Sequence, residues 1–315
     1  MRKRHIAIFT SVTNDNIAHL AVTLKSVSEH LSEGSVADVR VMSADLAAYN
    51  QRKLRHLGLD NVEITIVDLN SRIKDYRGDL EERLGSFFGE DSFYPFFVAD
   101  MYPRLGRALY VECGTVVRDS VERLYDTELG DGIIGGVVRD DDITDRFSAY
   151  RKRWVGVDSD EYIDCSVLLM NLTLFRKYRI EQRFIRLLLG YNFDSISAAS
   201  DYMNFLCRGR TKALNSDWQI KGRSEMADGI AAFTPYGRPW QHVNTPYADE
   251  FWETARRTPF YCDVRDAYFD FSENERARQA EHVKSMLMRA DALADSRGGF
   301  YEILGDNYLL ETRVI

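Results

Sequence analysis

The side chains most suited to ligand chemistry follow an apolar segment near the start of the chain. After residues 6–9 comes a run of hydroxyl, amide and carboxyl groups: Thr10, Ser11, Asn14, Asp15 and Asn16. A helical pattern follows this run, so it lies where a buried strand turns into a helix. Nucleotides bind in α/β folds at the carboxyl ends of parallel strands. The run therefore predicts a nucleotide-binding loop, and helix N-capping is the open alternative for its Asn and Asp side chains.

A second polar turn, Glu112-Cys113-Gly114, separates the apolar runs 108–111 and 115–117. Glu112 offers one carboxylate, the oxygen donor that Mg²⁺ and Mn²⁺ prefer, whereas Gly114 offers no side chain. A full metal site needs several such donors. Glu112 is accordingly a candidate metal ligand, with a lone structural carboxylate as the alternative.

The elements that must position these groups alternate between strand and helix. Apolar runs at 6–11, 39–42, 62–67, 108–111, 133–138 and 166–170 predict strands, and the spacing of apolar residues over 18–30, 44–57, 93–102, 175–189 and 272–294 predicts helices. Such alternation is typical of right-handed βαβ units. The pattern predicts a mostly parallel, Rossmann-like sheet flanked by helices.

Composition narrows the class of partner. The chain has 315 residues and a formal net charge of −8, which argues against nucleic acid because phosphate binding relies on clustered Lys and Arg. No run approaches the ~18–20 apolar residues that span a bilayer. The four cysteines are widely spaced, so we expect a reduced cytoplasmic protein.

The chain resembles glycosyltransferase family 8, the family of glycogenin and the bacterial lipopolysaccharide galactosyltransferases. Five segments resemble family motifs in the family's order: 8–27, 108–124, 162–172, 201–204 and 238–261. The second segment resembles the strand with the family's Asp-x-Asp motif, with Glu112 and Gly114 at the Asp positions. The last contains Arg238-Pro239-Trp240 where the family has Lys-Pro-Trp.

The resemblance implies a GT-A-type fold and a retaining transferase. We expect a GT-A-type glycosyltransferase domain over residues 1–262 and a C-terminal helical extension over 263–315. The implied activity moves a hexose from a nucleotide-sugar donor, with UDP-sugars favoured, to a glycan or glycolipid acceptor. A non-catalytic relative that binds glycan or nucleotide sugar, or serves as a partner subunit, remains open because the Asp-x-Asp motif is degenerate.

The resemblance also implies roles for individual residues. Residues matching nucleotide-sugar-binding positions are Thr10, Ser11, Asn14, Asp15, Asn16, Glu112, Cys113, Gly114, Arg139 and Arg238. Those matching catalytic positions are Asp140, Asp164, Ser200 and Asp201. The family's third metal ligand, a histidine, becomes Ala232 here. Mn²⁺ or Mg²⁺ is therefore expected only if it binds together with the donor diphosphate, through Glu112.

Two expectations concern the surroundings of the chain. The charged pattern over 272–294 predicts a packed helix that could join a second copy or a partner transferase. Peripheral contact with the inner face of the membrane is left open, since acidic residues dilute the basic face that anionic lipid favours.

Overall fold

The computed structural model describes residues 3–83, 89–138, 144–219, 229–234, 236–242, 244–305 and 308. The chain forms two compact units, each assembled from three stretches of sequence. The first unit combines residues 1–74, 108–128 and 215–280, and the second combines 75–107, 129–214 and 281–315. The predicted boundary near residue 262 is a different division of the chain and stays a prediction.

The first unit contains four parallel strands in the spatial order β3-β2-β1-β4. Their bounds are Arg4–Ser11 (β1), Ser35–Ser43 (β2), Val62–Asp68 (β3) and Arg107–Val111 (β4). In the register, Ile8 lies opposite both Val39 of β2 and Leu109 of β4. Residues 6–11 are buried, as expected for a parallel strand covered on both faces. The predicted βαβ arrangement is confirmed, and it sets the carboxyl ends of β1 and β4 side by side.

A separate two-stranded antiparallel ladder also belongs to this unit. It joins Val116–Val117 (β5) to Ile230–Ala231 (β9), with Val116 opposite Ala231. The helices of the unit are Ile17–Glu29 (α1), Ala48–Arg55 (α2), Asn70–Ile73 (α3), Val121–Tyr125 (α6), Ala248–Arg256 (α11) and Tyr261–Asp270 (α12). Single 3-10 turns cover Asn14–Asn16 and Ser216–Trp218.

The second unit contains three strands in the order β7-β6-β8. They are Ile134–Gly136 (β6), Val167–Asn171 (β7) and Thr211–Ala213 (β8), with β6 antiparallel to β7 and parallel to β8. Its helices are Arg77–Arg83 (α4), Val98–Met101 (α5), Thr144–Tyr150 (α7), Leu172–Lys177 (α8), Ile180–Gly190 (α9), Ala198–Cys207 (α10) and Phe300–Leu304 (α14). A 3-10 helix over Glu90–Phe97 precedes α5, and a π-helix over Arg151–Val155 follows α7. Stacked rings fill the core of this unit: Phe96 lies 4.0 Å from Phe184 between ring centroids.

The helix predicted over 175–189 is wrong as one element. The structure divides it into α8 and α9, because Arg179 takes a left-handed backbone conformation with φ 53°. A non-glycine residue in that region interrupts helical hydrogen bonding. The apolar spacing continues across the interruption, which explains why the pattern suggested one helix.

The predicted helix over 272–294 is present as Glu273–Asp295 (α13). Its N-terminus is closed by a capping box, in which Ser272 and Glu275 hydrogen-bond to each other's backbone N–H groups. Among the described residues, no helix is both long enough and apolar enough to cross a membrane.

Candidate functional site

The carboxyl end of β1 carries two buried hydroxyl groups. Thr10 is 1% exposed, and its Oγ1 atom has no hydrogen-bond partner among the described residues. Ser11 accepts a hydrogen bond of 3.3 Å from the hydroxyl of Tyr110 on β4. Buried polar groups nearly always have a hydrogen-bond partner, so the Thr10 hydroxyl makes this strand end a candidate ligand-binding site.

The loop after β1 is held by its own side chains. Asn14 accepts hydrogen bonds from the Ala47 N–H at 2.9 Å and from the Asn50 amide at 3.0 Å, which fixes it to the segment after β2. Asn16 donates to the Thr13 hydroxyl at 3.1 Å. Neither Thr13 nor Asn16 makes a side-chain capping bond, so the N-capping alternative is wrong. Asp15 is the exposed member of the loop.

The turn after β4 is anchored to the loop and to α1. The Cys113 thiol donates to the Asn16 carbonyl at 3.2 Å, and the Gly114 N–H donates to the Thr23 hydroxyl at 2.9 Å. Glu112 is half-buried, and its carboxylate makes no hydrogen bond or ion pair with the described residues. The structure thus brings residues 112–114 beside the loop at 13–16.

Trp240 packs directly onto this turn. Gly114 has a left-handed φ of 89°, and a Cβ placed on it would lie 2.4 Å from the Cη2 atom of Trp240. The indole is 6% exposed and stacks on the His19 ring, with centroids 4.0 Å apart. The Arg238 guanidinium carbon lies 5.7 Å from the indole centroid. The β4 turn, α1 and the 238–240 segment therefore meet around one indole ring.

Arg238 is half-buried and forms no hydrogen bond or ion pair through its side chain in the described part of the chain. A guanidinium without a carboxylate partner can accept an anion through its planar fork of donors. The cation predicted at this position therefore lies in the cluster around Trp240, without an ion-pair partner among the described residues.

His19 was not singled out by sequence analysis. It is 4% exposed, and neither ring nitrogen has a hydrogen-bond partner. Burial, together with the positive charge of Arg238, lowers the pKa of His19 to about 3. The imidazole is therefore neutral at physiological pH. The only sequence signal for His19 was its place on the apolar face of α1, and most histidines at such places are ordinary residues of the hydrophobic core.

Ala232, which the family resemblance aligns with a metal-ligating histidine, directly follows β9 and is 3% exposed. His242, on the other side of Trp240 in the sequence, donates from Nε2 to the Gln279 side-chain oxygen at 2.6 Å. Across the described ranges, no group of three or more His, Cys, Asp or Glu side chains is arranged to hold a metal ion.

A cavity of about 330 Å³ lies beside the 238–240 segment in the first unit. Its lining combines the rings of Phe233, Tyr236 and Tyr247 with the polar groups of Asn244 and Thr245. Tyr247 has φ 62°, a left-handed conformation that is unusual for a residue with a side chain. Arg118 lies over the Tyr247 ring at 4.8 Å and pairs with Glu250 at 3.0 Å.

In the second unit, Asp201 is a buried hydrogen-bond centre. It is 0% exposed, and its carboxylate accepts from the hydroxyls of Tyr150 and Tyr162 at 2.6 Å each. The Ser195 hydroxyl and the Ser197 N–H donate to it as well. Burial, then the Asp201 charge, raises the pKa of Tyr150 well above its usual value. This carboxylate accepts hydrogen bonds from four donors in three chain segments, and the catalytic role implied for it stays a prediction.

The other predicted residues of this unit lie close by in the hydrogen-bond network. Asp164 is 6% exposed and accepts from the Ser166 N–H at 2.9 Å. The Asn204 amide donates to the carbonyl oxygens of both Ile163 and Ser200, which links the segment before Asp164 to the start of α10. Arg139 and Asp140 lie outside the described residues.

The parallel βαβ strands of the first unit, with a polar edge where β1 and β4 end, define a GT-A-type glycosyltransferase fold. The chain belongs to glycosyl transferase family 8, whose family model matches residues 7–229. The resemblance drawn from sequence motifs is thereby confirmed.

Solved structures of other glycosyltransferases share the fold. The galactosyltransferase LgtC, solved with donor and acceptor sugar analogues, has a TM-score of 0.68 at 20% identity, covering 81% of this chain and 96% of LgtC. The bifunctional glycosyltransferase WbbM has a TM-score of 0.68 at 15% identity, covering 84% of this chain and 52% of WbbM. GlyE of Streptococcus pneumoniae TIGR4 has a TM-score of 0.60 at 15% identity, covering 84% and 63%. At these identities the likeness establishes the fold alone.

A curated protein of Haemophilus influenzae with a provisional glycosyltransferase assignment is 26% identical over 110 residues. The match covers 35% of this chain and 33% of that protein. The chain thus spans about a third of this relative and about half of WbbM.

Proposed function

We propose that this chain is a retaining glycosyltransferase that moves a hexose from a nucleotide-sugar donor, with a UDP-sugar favoured, to a glycan or glycolipid hydroxyl. The observation that carries the proposal is the Arg238 guanidinium in the cluster around Trp240, beside the turn after β4, where no described residue forms an ion pair with it. A donor diphosphate needs positive charge, and family membership makes a sugar diphosphate the natural anion.

In the proposed donor site, the strand end and loop over residues 10–16 hold the nucleoside, and Arg238 holds the diphosphate. The buried, unpaired Thr10 hydroxyl supports the first role, because a ligand would supply the partner that it lacks. Cys113 and Gly114 border the same site through their backbone. The roles implied for Arg139, Asp140, Asp164 and Ser200 at the sugar stay predictions.

The test is donor affinity, measured by calorimetry for the wild type and Arg238→Ala with UDP-, GDP- and CMP-sugars. Loss of a charge-assisted contact should weaken binding by about 10–100-fold. Arg256→Ala is the matched control, since this exposed arginine lies on α11 of the same unit. Equal affinities for the wild type and Arg238→Ala would place Arg238 outside the site.

A second candidate is a non-catalytic relative that binds the donor or a glycan without transferring sugar. Gly114 and Ala232 favour it, because they replace a carboxylate and an imidazole of the family's catalytic site. Release of free UDP from the bound donor, followed with and without candidate acceptors, separates the two. Donor binding with no UDP release under any condition would favour the non-catalytic protein.

We further propose a transferase domain over 1–262 with a helical extension over 263–315, and a cytoplasmic location. The exposed Met288 on α13, at 55%, supports contact with a second copy or a partner transferase through this helix. Light scattering of the wild type and Met288→Glu would test the self-association.

A further inference from the structure

The family's metal site has its backbone frame in this chain but lacks its ligands. The β5–β9 ladder pairs Val116 with Ala231, and Gly114 lies two residues before β5 while Ala232 directly follows β9. The positions of the second and third family ligands therefore both lie at the same end of this ladder. Neither position has a side-chain oxygen or nitrogen, and Glu112 is the one carboxylate left in the turn.

The space beside Gly114 is filled by the indole of Trp240. A Cβ at residue 114 would meet Trp240 Cη2 at 2.4 Å and Cζ3 at 3.0 Å, so a carboxylate could not extend from this residue without displacing the ring. The φ of 89° adds strain for any residue other than glycine. Residue 114 is thus closed to a metal ligand by both backbone and packing.

The indole has little freedom to move aside. His19 stacks on it at 4.0 Å, and Phe251 lies 5.0 Å away between ring centroids. Phe233 meets it edge-on at 6.5 Å. Since His19 is neutral, the positive charge nearest to the indole belongs to Arg238.

We infer that this chain binds the donor diphosphate without a divalent cation, with Arg238 supplying the positive charge and Trp240 closing the side of the β4 turn where the family places its metal. The inference rests on the proposed donor site. Divalent cations neutralise diphosphate charge in metal-dependent transferases, and a guanidinium can do so through two parallel N–H···O bonds.

The test measures UDP affinity by calorimetry in buffer with Mn²⁺ and in buffer with EDTA, for the wild type, Arg238→Gln and Glu112→Gln. We expect the wild-type affinity to differ by less than about twofold between the buffers. Arg238→Gln should lose about 10–100-fold in both. Glu112→Gln removes the one carboxylate of the turn, so the ratio of its UDP affinities in the two buffers should equal that of the wild type.

A Mn²⁺-dependent gain of tenfold or more in the wild type, lost in Glu112→Gln, would overturn the inference while leaving the proposed donor site in place. Absence of UDP binding in both buffers would instead remove the donor site, and the metal-free binding with it.

Discussion

At the scale of single residues, Gly114 is constrained twice, by its backbone angle and by the indole above it. Gly114→Ala should lower the free energy of unfolding by about 2–4 kcal/mol, combining left-handed strain with overpacking. Urea denaturation measures this change.

Gly34→Ala is the matched control for that measurement. Gly34 has φ 83°, close to the angle of Gly114, but nothing lies within 4 Å of a Cβ placed there. Gly34→Ala should lower the free energy of unfolding by the backbone strain alone, about 1–2 kcal/mol. Equal losses in the two variants would show that Trp240 yields readily, which contradicts the packing described above.

His19 makes the free energy of unfolding depend on pH. Its pKa is about 3 in the folded protein and 6.5 ordinarily. Below pH 6.5 the unfolded state takes up a proton that the folded state refuses, so stability falls as the pH falls towards 3. Between pH 7 and pH 5 this histidine alone should cost about 2 kcal/mol.

His19→Phe keeps the stacked ring and removes the titrating group, so it should reduce the loss between pH 7 and pH 5 by that amount. The exposed His5, changed to Gln, is the control and should leave the loss unchanged. Urea denaturation at both pH values decides. If His19→Phe loses as much stability between pH 7 and pH 5 as the wild type does, the wild-type imidazole is protonated in the folded protein.

At the scale of elements, Asp201 of α10 joins the end of α7, the segment around Tyr162 and the residues just before α10. Asp201→Asn replaces an acceptor of four hydrogen bonds with an amide that has one oxygen and two N–H donors. We expect a loss of about 3 kcal/mol in the free energy of unfolding. Asp160→Asn, at an exposed carboxylate, should stay within about 0.5 kcal/mol of the wild type. Equal effects would show that the buried network contributes nothing.

The interruption between α8 and α9 offers a gain in stability. Arg179 is exposed, and its left-handed backbone conformation is strained for arginine, whereas glycine adopts it without strain. Arg179→Gly should raise the free energy of unfolding by about 0.5 kcal/mol, after the greater freedom of glycine in the unfolded chain is subtracted. Arg179→Ala should give no gain, because alanine keeps the strain. Thermal denaturation of the three proteins tests both outcomes.

These elements also show how far the sequence could predict the fold. Strands β1 and β3 and helix α1 were located within one or two residues, because apolar period and flanking polar residues agree there. The loop at 13–16 and the turn at 112–114 both follow strands that the sequence predicted, and parallel strands put their carboxyl ends at one edge.

Other features depend on contacts that no local pattern contains. Trp240 contacts Gly114 although more than a hundred residues separate them in the sequence. No pattern close to residue 114 in the sequence indicates that the indole fills the space beside this turn. The burial of Asp201 was equally hidden, because an acidic residue in the first turn of a helix is ordinarily exposed and interacts with the helix dipole.

At the scale of the whole molecule, the four cysteines are free thiols with graded exposure. Cys262 is exposed, Cys113 and Cys165 are half-buried, and Cys207 is buried, with its pKa raised by that burial. Since the thiolate is the reactive form, a thiol reagent should modify Cys262 quickly and Cys207 only on unfolding. Cys262→Ser should remove the fast phase. A fast phase that persists in this variant would assign the reactive thiol elsewhere.

The division of each compact unit among three stretches of sequence has a consequence for synthesis on the ribosome. When residue 128 has been made, β1 to β5 and α1 exist, but β9 and Trp240 do not. Another 86 residues, from 129 to 214, must be added before the last stretch of the first unit begins. At about 5–20 residues per second this takes roughly 4–17 s. During that interval Gly114 lacks the indole that packs on it and α1 lacks its contacts with α11 and α12, so the nascent chain exposes apolar surface that the finished protein buries.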